Sequence, residues 1–219
     1  MKRRTLDVLF SAGGLILAGL LLIMGIVLTS NANFAKSYVK DQLSQQKITF
    51  KPVAALTAEE KEAACLVKYA GQPVNSGAKA ECYANHFIGL HVKSTAGGKT
   101  YAELGDVQTG LRTQITKAQA ANDPNLANLQ KQLTDVTTQR ETLFKGETLR
   151  GLLLTSYGFS VFGVKGGQIA NVAYLLGGLM LLLSIAGLIH ASRTPGDKLF
   201  AAAEPVPVPD DAQWAVAAV

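Results

Sequence analysis

The sequence predicts a mainly α membrane protein, in which two transmembrane helices flank an extracytoplasmic helical domain with an antiparallel helical hairpin. Three observations lead there: an uncharged apolar run near the N-terminus, a second one near the other end, and apolar residues recurring at spacings of three and four between them. Val8 to Leu28 and Ile169 to Ile189 each hold 21 uncharged residues. At 1.5 Å per residue, a helix of that length matches the roughly 30 Å hydrocarbon core of a bilayer. The chain then divides into a cytoplasmic N-terminus (1–7), a first span (8–28), an extracytoplasmic helical domain (29–150), an interfacial segment (151–167), a second span (168–190) and a Pro/Ala-rich cytoplasmic tail (191–219).

The first run follows Lys2, Arg3 and Arg4, as a secretory leader would, and Ser30-Asn31-Ala32 could pass for a cleavage site. Its length decides for an uncleaved anchor, because the apolar core of a signal peptide holds about 7 to 15 residues. Basic residues in short flanks favour the cytoplasm, so Lys2, Arg3, Arg4, Arg193 and Lys198 place both termini inside a multi-pass protein of the cell (inner) membrane. Lys36, Lys40 and Lys165 oppose that bias, but a segment as long as 31–168 crosses largely regardless of its charge. The formal net charge is +5, but residues 31–148 hold 14 Lys/Arg against 11 Asp/Glu, spread without a basic run, which argues against a nucleic-acid partner.

Between the spans the elements follow in order. Phe34 and Tyr38, at i, i+4, continue the first helix outward towards Gln46 and suit the aromatic belt of a lipid boundary. The stretch 47–53, with Pro52, breaks it. Thr57-Ala-Glu-Glu60 is a capping box that opens a helix through Cys65, Leu66 and Tyr69, which Gly71 stops. After a turn at Asn75-Ser76-Gly77, a third helix from about Ala78 to Leu90 carries Cys82, Tyr83 and Phe87. Thr100-Tyr-Ala-Glu103 is a second capping box. It opens a helix with Val107, Leu111, Ile115 and Ala118 on one stripe. Asp123-Pro124 starts the return helix, whose Leu126, Leu129, Leu133, Val136 and Leu143 complete a coiled-coil-like seam. The segment 151–164 is apolar but too short to span; Tyr157, Phe159 and Phe162 suit the outer interface, and Gly166-Gly167 can turn the chain into the second span. The alternating prolines after Glu204 favour an extended, mobile tail.

Four groups of residues could carry chemistry. Cys65 and Cys82 fall on the oxidising side, each on a helix with a turn between them, which predicts a disulfide. A metal site on Cys65, Cys82, His86 and His91 is the sharper alternative; His86 and His91, five apart, lie roughly 140° apart around a helix and do not readily share an ion. Gly97-Gly98-Lys99-Thr100 looks like the end of a nucleotide-binding loop, but Lys93 stands where the first glycine is required. His190, at the inner end of the second span, could serve as an axial haem ligand, yet the spans hold no second histidine to pair with it. These residues predict no catalytic site, no resident metal and no cofactor. Small residues recur every fourth position in the spans, as Gly14 and Ala18, Ala173 and Gly177, Gly187 and Ala191, a spacing that permits close packing against partner helices.

Taken together, the N-terminal Arg3-Arg-Thr-Leu-Asp7 leading into a Gly-rich span, the Tyr69-Ala-Gly-Gln72 helix end, the Gly98-Lys-Thr-Tyr101 turn, the hairpin and the second span resemble a family of small actinobacterial membrane proteins. It includes the prokaryotic respiratory supercomplex association factor, an accessory subunit of the assembly joining the cytochrome bcc complex to the terminal oxidase. The resemblance covers residues 3–191. It implies a non-catalytic subunit that associates with and stabilises a large respiratory complex, with its subunits, the membrane and lipids as partners. Proteins of the same architecture labelled ring-opening dioxygenases, a label that implies a metal centre, point to the alternative of an extracytoplasmic metal-binding or redox enzyme. A membrane sensor signalling to the Pro-rich tail is a third class.

Overall fold

The structure, a computed structural model, describes residues 2–196, 198 and 199. They are mainly helical, and the described residues include no strand beyond the isolated bridges Lys2 to Leu199 and Thr49 to Pro73. The elements are α1 (Arg3–Gln45), a 3-10 turn (Val53–Ala55), α2 (Ala58–Glu62), α3 (Ala64–Tyr69), α4 (Gly77–Cys82), a π-helical turn (Tyr83–Ile88), α5 (Gly89–Thr95), α6 (Tyr101–Ala121) and α7 (Leu126–Arg193). Two compact units result: one from the described parts of Met1–Ile26 and Ala170–Val219, the other from Val27–Ile169.

In the first unit, the N-terminal part of α1 and the C-terminal part of α7 pack antiparallel. Ser11 meets Gly187, Gly14 meets Ser184, Leu22 meets Gly177 and Gly25 meets Tyr174. Both helices are long and apolar enough to cross a membrane. Only 17% of each apolar window is buried, unlike the core helix of a soluble protein. Leu9, Phe10, Ile16, Leu20, Leu175 and Leu182 all point away from the chain. The Arg3 backbone N–H donates to the Lys198 carbonyl at 3.0 Å, so α1 begins beside the chain that leaves α7.

In the second unit, α1 continues to Gln45 and ends where Lys47 takes a left-handed φ of 52°. Its Val39 and Leu43 join Phe50, Leu66, Val74, Ala80, Cys82 and Leu153 of α7 in the largest apolar core. Smaller clusters lie between α6 and the first part of α7: Leu104 and Leu143 with Ala96, and Leu111 and Ala118 with Leu129. Asn122, left-handed at φ 51°, closes α6. The Asp123 carboxylate then accepts from the Asn125 N–H at 2.8 Å, and the return helix starts at Leu126.

Three expectations are corrected. Gly166-Gly167 makes no turn, because α7 runs unbroken through it and through the whole segment 151–167. Leu153 is in the core, and Gly163 allows α1 close approach, its added Cβ lying 3.0 Å from that of Ala35. The helix after Thr57 is two helices, broken at Ala63, whose ψ of 99° leaves the helical region. The third helix is interrupted by the π turn and extends to Thr95. Apart from Ser192 and its neighbours up to Gly196, with Lys198 and Leu199, the Pro/Ala-rich tail lies outside the described residues.

Candidate packing surfaces and side-chain clusters

The small residues of the apolar helices face each other. Ala18, Ala173 and Ala191 are buried, and a Cβ added at Gly14 or Gly187 would overlap the hydroxyl of Ser184 or Ser11. Gly177 is nearly as tight, with Leu22 Cγ 3.1 Å from its added Cβ. The close approach expected towards a partner's helix is thus used within the chain. Gly13, Gly19 and Gly178, by contrast, have open space where a side chain would be.

Cys65 on α3 and Cys82 on α4 are joined by a disulfide with Cα atoms 6.0 Å apart. Both thiols of the alternative metal site are therefore engaged. His91 is drawn to a different partner. Its Nε2 lies 3.7 Å from Glu60, and its ring packs against Phe87 at 4.5 Å between centroids. Glu60 is the best-buried charge of the described residues, 1% exposed. It closes the expected capping box, accepting from the Thr57 N–H at 2.8 Å, and it accepts from Lys51 Nζ at 2.8 Å. Burial pushes the Glu60 carboxyl upward, but the Lys51 and Thr57 hydrogen bonds and the charges of Lys51 and His91 outweigh it and hold the group below its ordinary value. Its stabilisation is therefore complete above the ordinary carboxylate pKa and is lost as pH falls through the lowered one. We expect Glu60→Gln to destabilise the second unit by about 2 kcal/mol at pH 7, the scale of a hydrogen bond to a charged group. The difference from the wild type in thermal melts should shrink as pH falls below about 4; a difference that persists undiminished at pH 2 would contradict this account.

Thr100 and Glu103 form the second capping box, and hydrogen bonds from the Thr100 backbone and side chain hold the Glu103 carboxyl below its ordinary value. Just before it, Gly97 and Gly98 take left-handed φ values of 61° and 85°, making a turn into the cap and no phosphate cradle. His190 Nδ1 is 3.0 Å from an Asp7 carboxylate oxygen.

Three features lacked a sequence signal. Arg150 of α7 reaches Glu147 at 3.1 Å and Asn85 on the π turn at 3.5 Å, beside a cleft of about 900 Å³. Between α6 and α7, Arg140 donates to Gln108 at 2.9 Å, Gln108 donates to Thr137 at 2.7 Å, and the guanidinium lies 4.1 Å from the Tyr101 ring centre. These pairings join positions 29 to 39 residues apart, which spacing rules do not foresee. The third is an apolar groove of about 470 Å³ between α1 and α7 in the second unit. It is walled by Tyr38, Val39, Leu43, Leu149, Leu152 and Phe159, with Gln42 and Gln46 at its edge. None of its lining residues is charged.

No family model, curated protein or solved structure matches the chain.

Proposed function

We propose that this protein is a non-catalytic accessory subunit of a large respiratory membrane complex, of the kind that joins a cytochrome bcc complex to a terminal oxidase. Its two apolar helices cross the membrane as a hairpin, both termini lie in the cytoplasm, and the second unit stands outside. The observation that carries this reading is the apolar surface the chain leaves uncovered: 17% burial of each window leaves most of both helices to lipid or to other subunits. The meeting of Lys2 with Leu199 fits an even number of crossings. The resemblance over residues 3–191 supplies the respiratory partner. The disulfide fits an oxidising compartment.

Purification on a tag in mild detergent, followed by a haem spectrum and mass spectrometry, tests it. The protein should elute with haem absorbance and with cytochrome and oxidase subunits; elution alone, without haem, would overturn the assignment. For topology, an impermeant thiol reagent applied to intact cells should label Ser44→Cys and not Thr194→Cys. Labelling of position 194 would sink the arrangement with both ends inside.

A further inference from the structure

Five cations meet at one end of the first unit. Lys2 precedes α1, and Arg3 and Arg4 open it; Arg193 closes α7 and Lys198 follows. The chain beyond α7 folds back onto the start of α1. The Lys198 N–H donates to the Pro195 carbonyl at 3.4 Å, the Arg3 N–H donates to the Lys198 carbonyl at 3.0 Å, and Lys2 bridges to Leu199. All five residues are exposed, and among the described residues no carboxylate pairs with any of them. Asp7, the described carboxylate of this end, is held 3.0 Å from His190. The first turn of α1 has no acidic residue, so the helix dipole adds to the charge of Arg3 and Arg4 instead of offsetting it. In the sequence, residues 2–7 and 190–198 hold these five Lys/Arg against Asp7 and Asp197, the latter outside the described residues.

Depth decides which anion answers this charge. Arg4 stands four positions before Val8, where the first uncharged run starts, and Arg193 four positions after Ile189, where the second ends. At 1.5 Å per residue both lie about 6 Å beyond the apolar runs. A headgroup layer is about 5 to 8 Å thick, the difference between roughly 30 Å of hydrocarbon and 40 to 45 Å of whole bilayer shared between two faces. The guanidinium groups thus sit at the level of the lipid phosphates, whose oxygens suit their forked donors. An acidic protein segment would have to displace headgroups to reach the same atoms. A zwitterionic headgroup brings its own ammonium with its phosphate and offers no net charge; an anionic one does.

We propose that the joined ends of α1 and α7 hold an anionic phospholipid by its phosphate, with Arg4 and Arg193 at the depth of that group and Lys2, Arg3 and Lys198 around it. The inference rests on the reading that the two apolar helices cross the membrane, and it is independent of which complex the protein joins. Orientation by flanking charge requires only that basic residues lie on one side. The bond between Arg3 and Lys198 goes further and gathers them into one site.

The test is native mass spectrometry of the full-length protein, delipidated in detergent and titrated with phosphatidylglycerol, phosphatidylcholine or inorganic phosphate. Phosphatidylglycerol should bind at least about 25-fold more tightly than phosphatidylcholine, and Arg193→Gln with Lys198→Gln should weaken its binding by about fivefold per cation. Lys2, Arg3 and Arg4 stay in place in that variant, so the orientation signal of the first span is untouched. Lys36→Gln with Lys40→Gln removes the same charge from the second unit and should leave the preference unchanged. Equal binding of the two lipids, undiminished binding in the Arg193 and Lys198 variant, or an equal loss in the Lys36 and Lys40 variant overturns the proposal. Displacement of phosphatidylglycerol by an equal concentration of inorganic phosphate overturns it too, and makes the site one for free phosphate. The two readings fail separately. A protein released from membranes by alkaline carbonate removes the crossing and the site with it, whereas one that stays embedded and shows no lipid preference removes the site alone.

Discussion

Replacing Cys65 and Cys82 together by alanine is expected to lower the stability of the second unit by about 3 kcal/mol, the loop-closure value for a link spanning 17 positions. For a unit of this size that corresponds to a fall in Tm of roughly 6 to 12 °C. The effect is large because the link joins two short helices, α3 and α4, neither of which would persist alone. Cys82 is also part of the largest core, packed with Leu66, Val74 and Ala80. Circular dichroism melts of the wild type with and without reductant should show the same loss as the double variant. Equal melting temperatures in all three samples would mean that the core alone holds α3 and α4 together.

The second large effect is expected in the seam of the first unit. Gly14→Leu with Gly177→Leu places two bulky side chains where Ser184 and Leu22 already sit, with no flexible gap to receive them. The helices should separate while remaining apolar enough to insert. A cysteine pair reports this directly, because an added Cβ at Gly187 lies 3.5 Å from the Ser11 Cβ, within the range that a disulfide bridges. Ser11→Cys with Gly187→Cys should therefore crosslink on mild oxidation within one chain. Adding the two leucines should reduce that product roughly 5- to 150-fold, the consequence of a destabilisation of about 1 to 3 kcal/mol. Undiminished crosslinking would show that the seam does not depend on the glycines.

Local chemistry made much of this fold legible in advance. Both capping boxes close as their Thr-x-x-Glu spacing requires, because the bonds involved span three residues and need nothing from the rest of the chain. The disulfide was readable from two cysteines 17 positions apart, and the stripe of Leu111 and Ala118 on α6 from helical spacing. The continuity of α7 was not. Gly166-Gly167 has the composition of a turn, but both residues continue α7, with Ala32 only in ordinary contact range of a Cβ added at either; the continuity comes from the helix around them, which local propensity does not register. The seam shows the same limit from the other side: small residues at every fourth position announce close packing without saying whose helix approaches. The uncharged groove depends on which faces of α1 and α7 remain uncovered once Val39, Leu43 and Leu153 are buried, and that is decided only by the fold.

The π turn at Tyr83–Ile88 has a consequence for helical phase. Ala80 is fully buried in the core and Val92 packs against the same core, twelve positions later. In an uninterrupted α-helix, residues twelve apart diverge by about 120°, which would put only one of the two on the core side. A single π turn inserts one extra residue without advancing the rotation, so the effective separation is about eleven positions and the divergence about 20°. The insertion thus works as a phase corrector, letting one apolar face continue across a helix whose sequence carries one residue too many. Deleting one residue between Tyr83 and Ile88 would restore regular winding and swing Val92 off the core, whereas deleting one elsewhere in α4 or α5 would leave the π turn in place and break the helix's register instead.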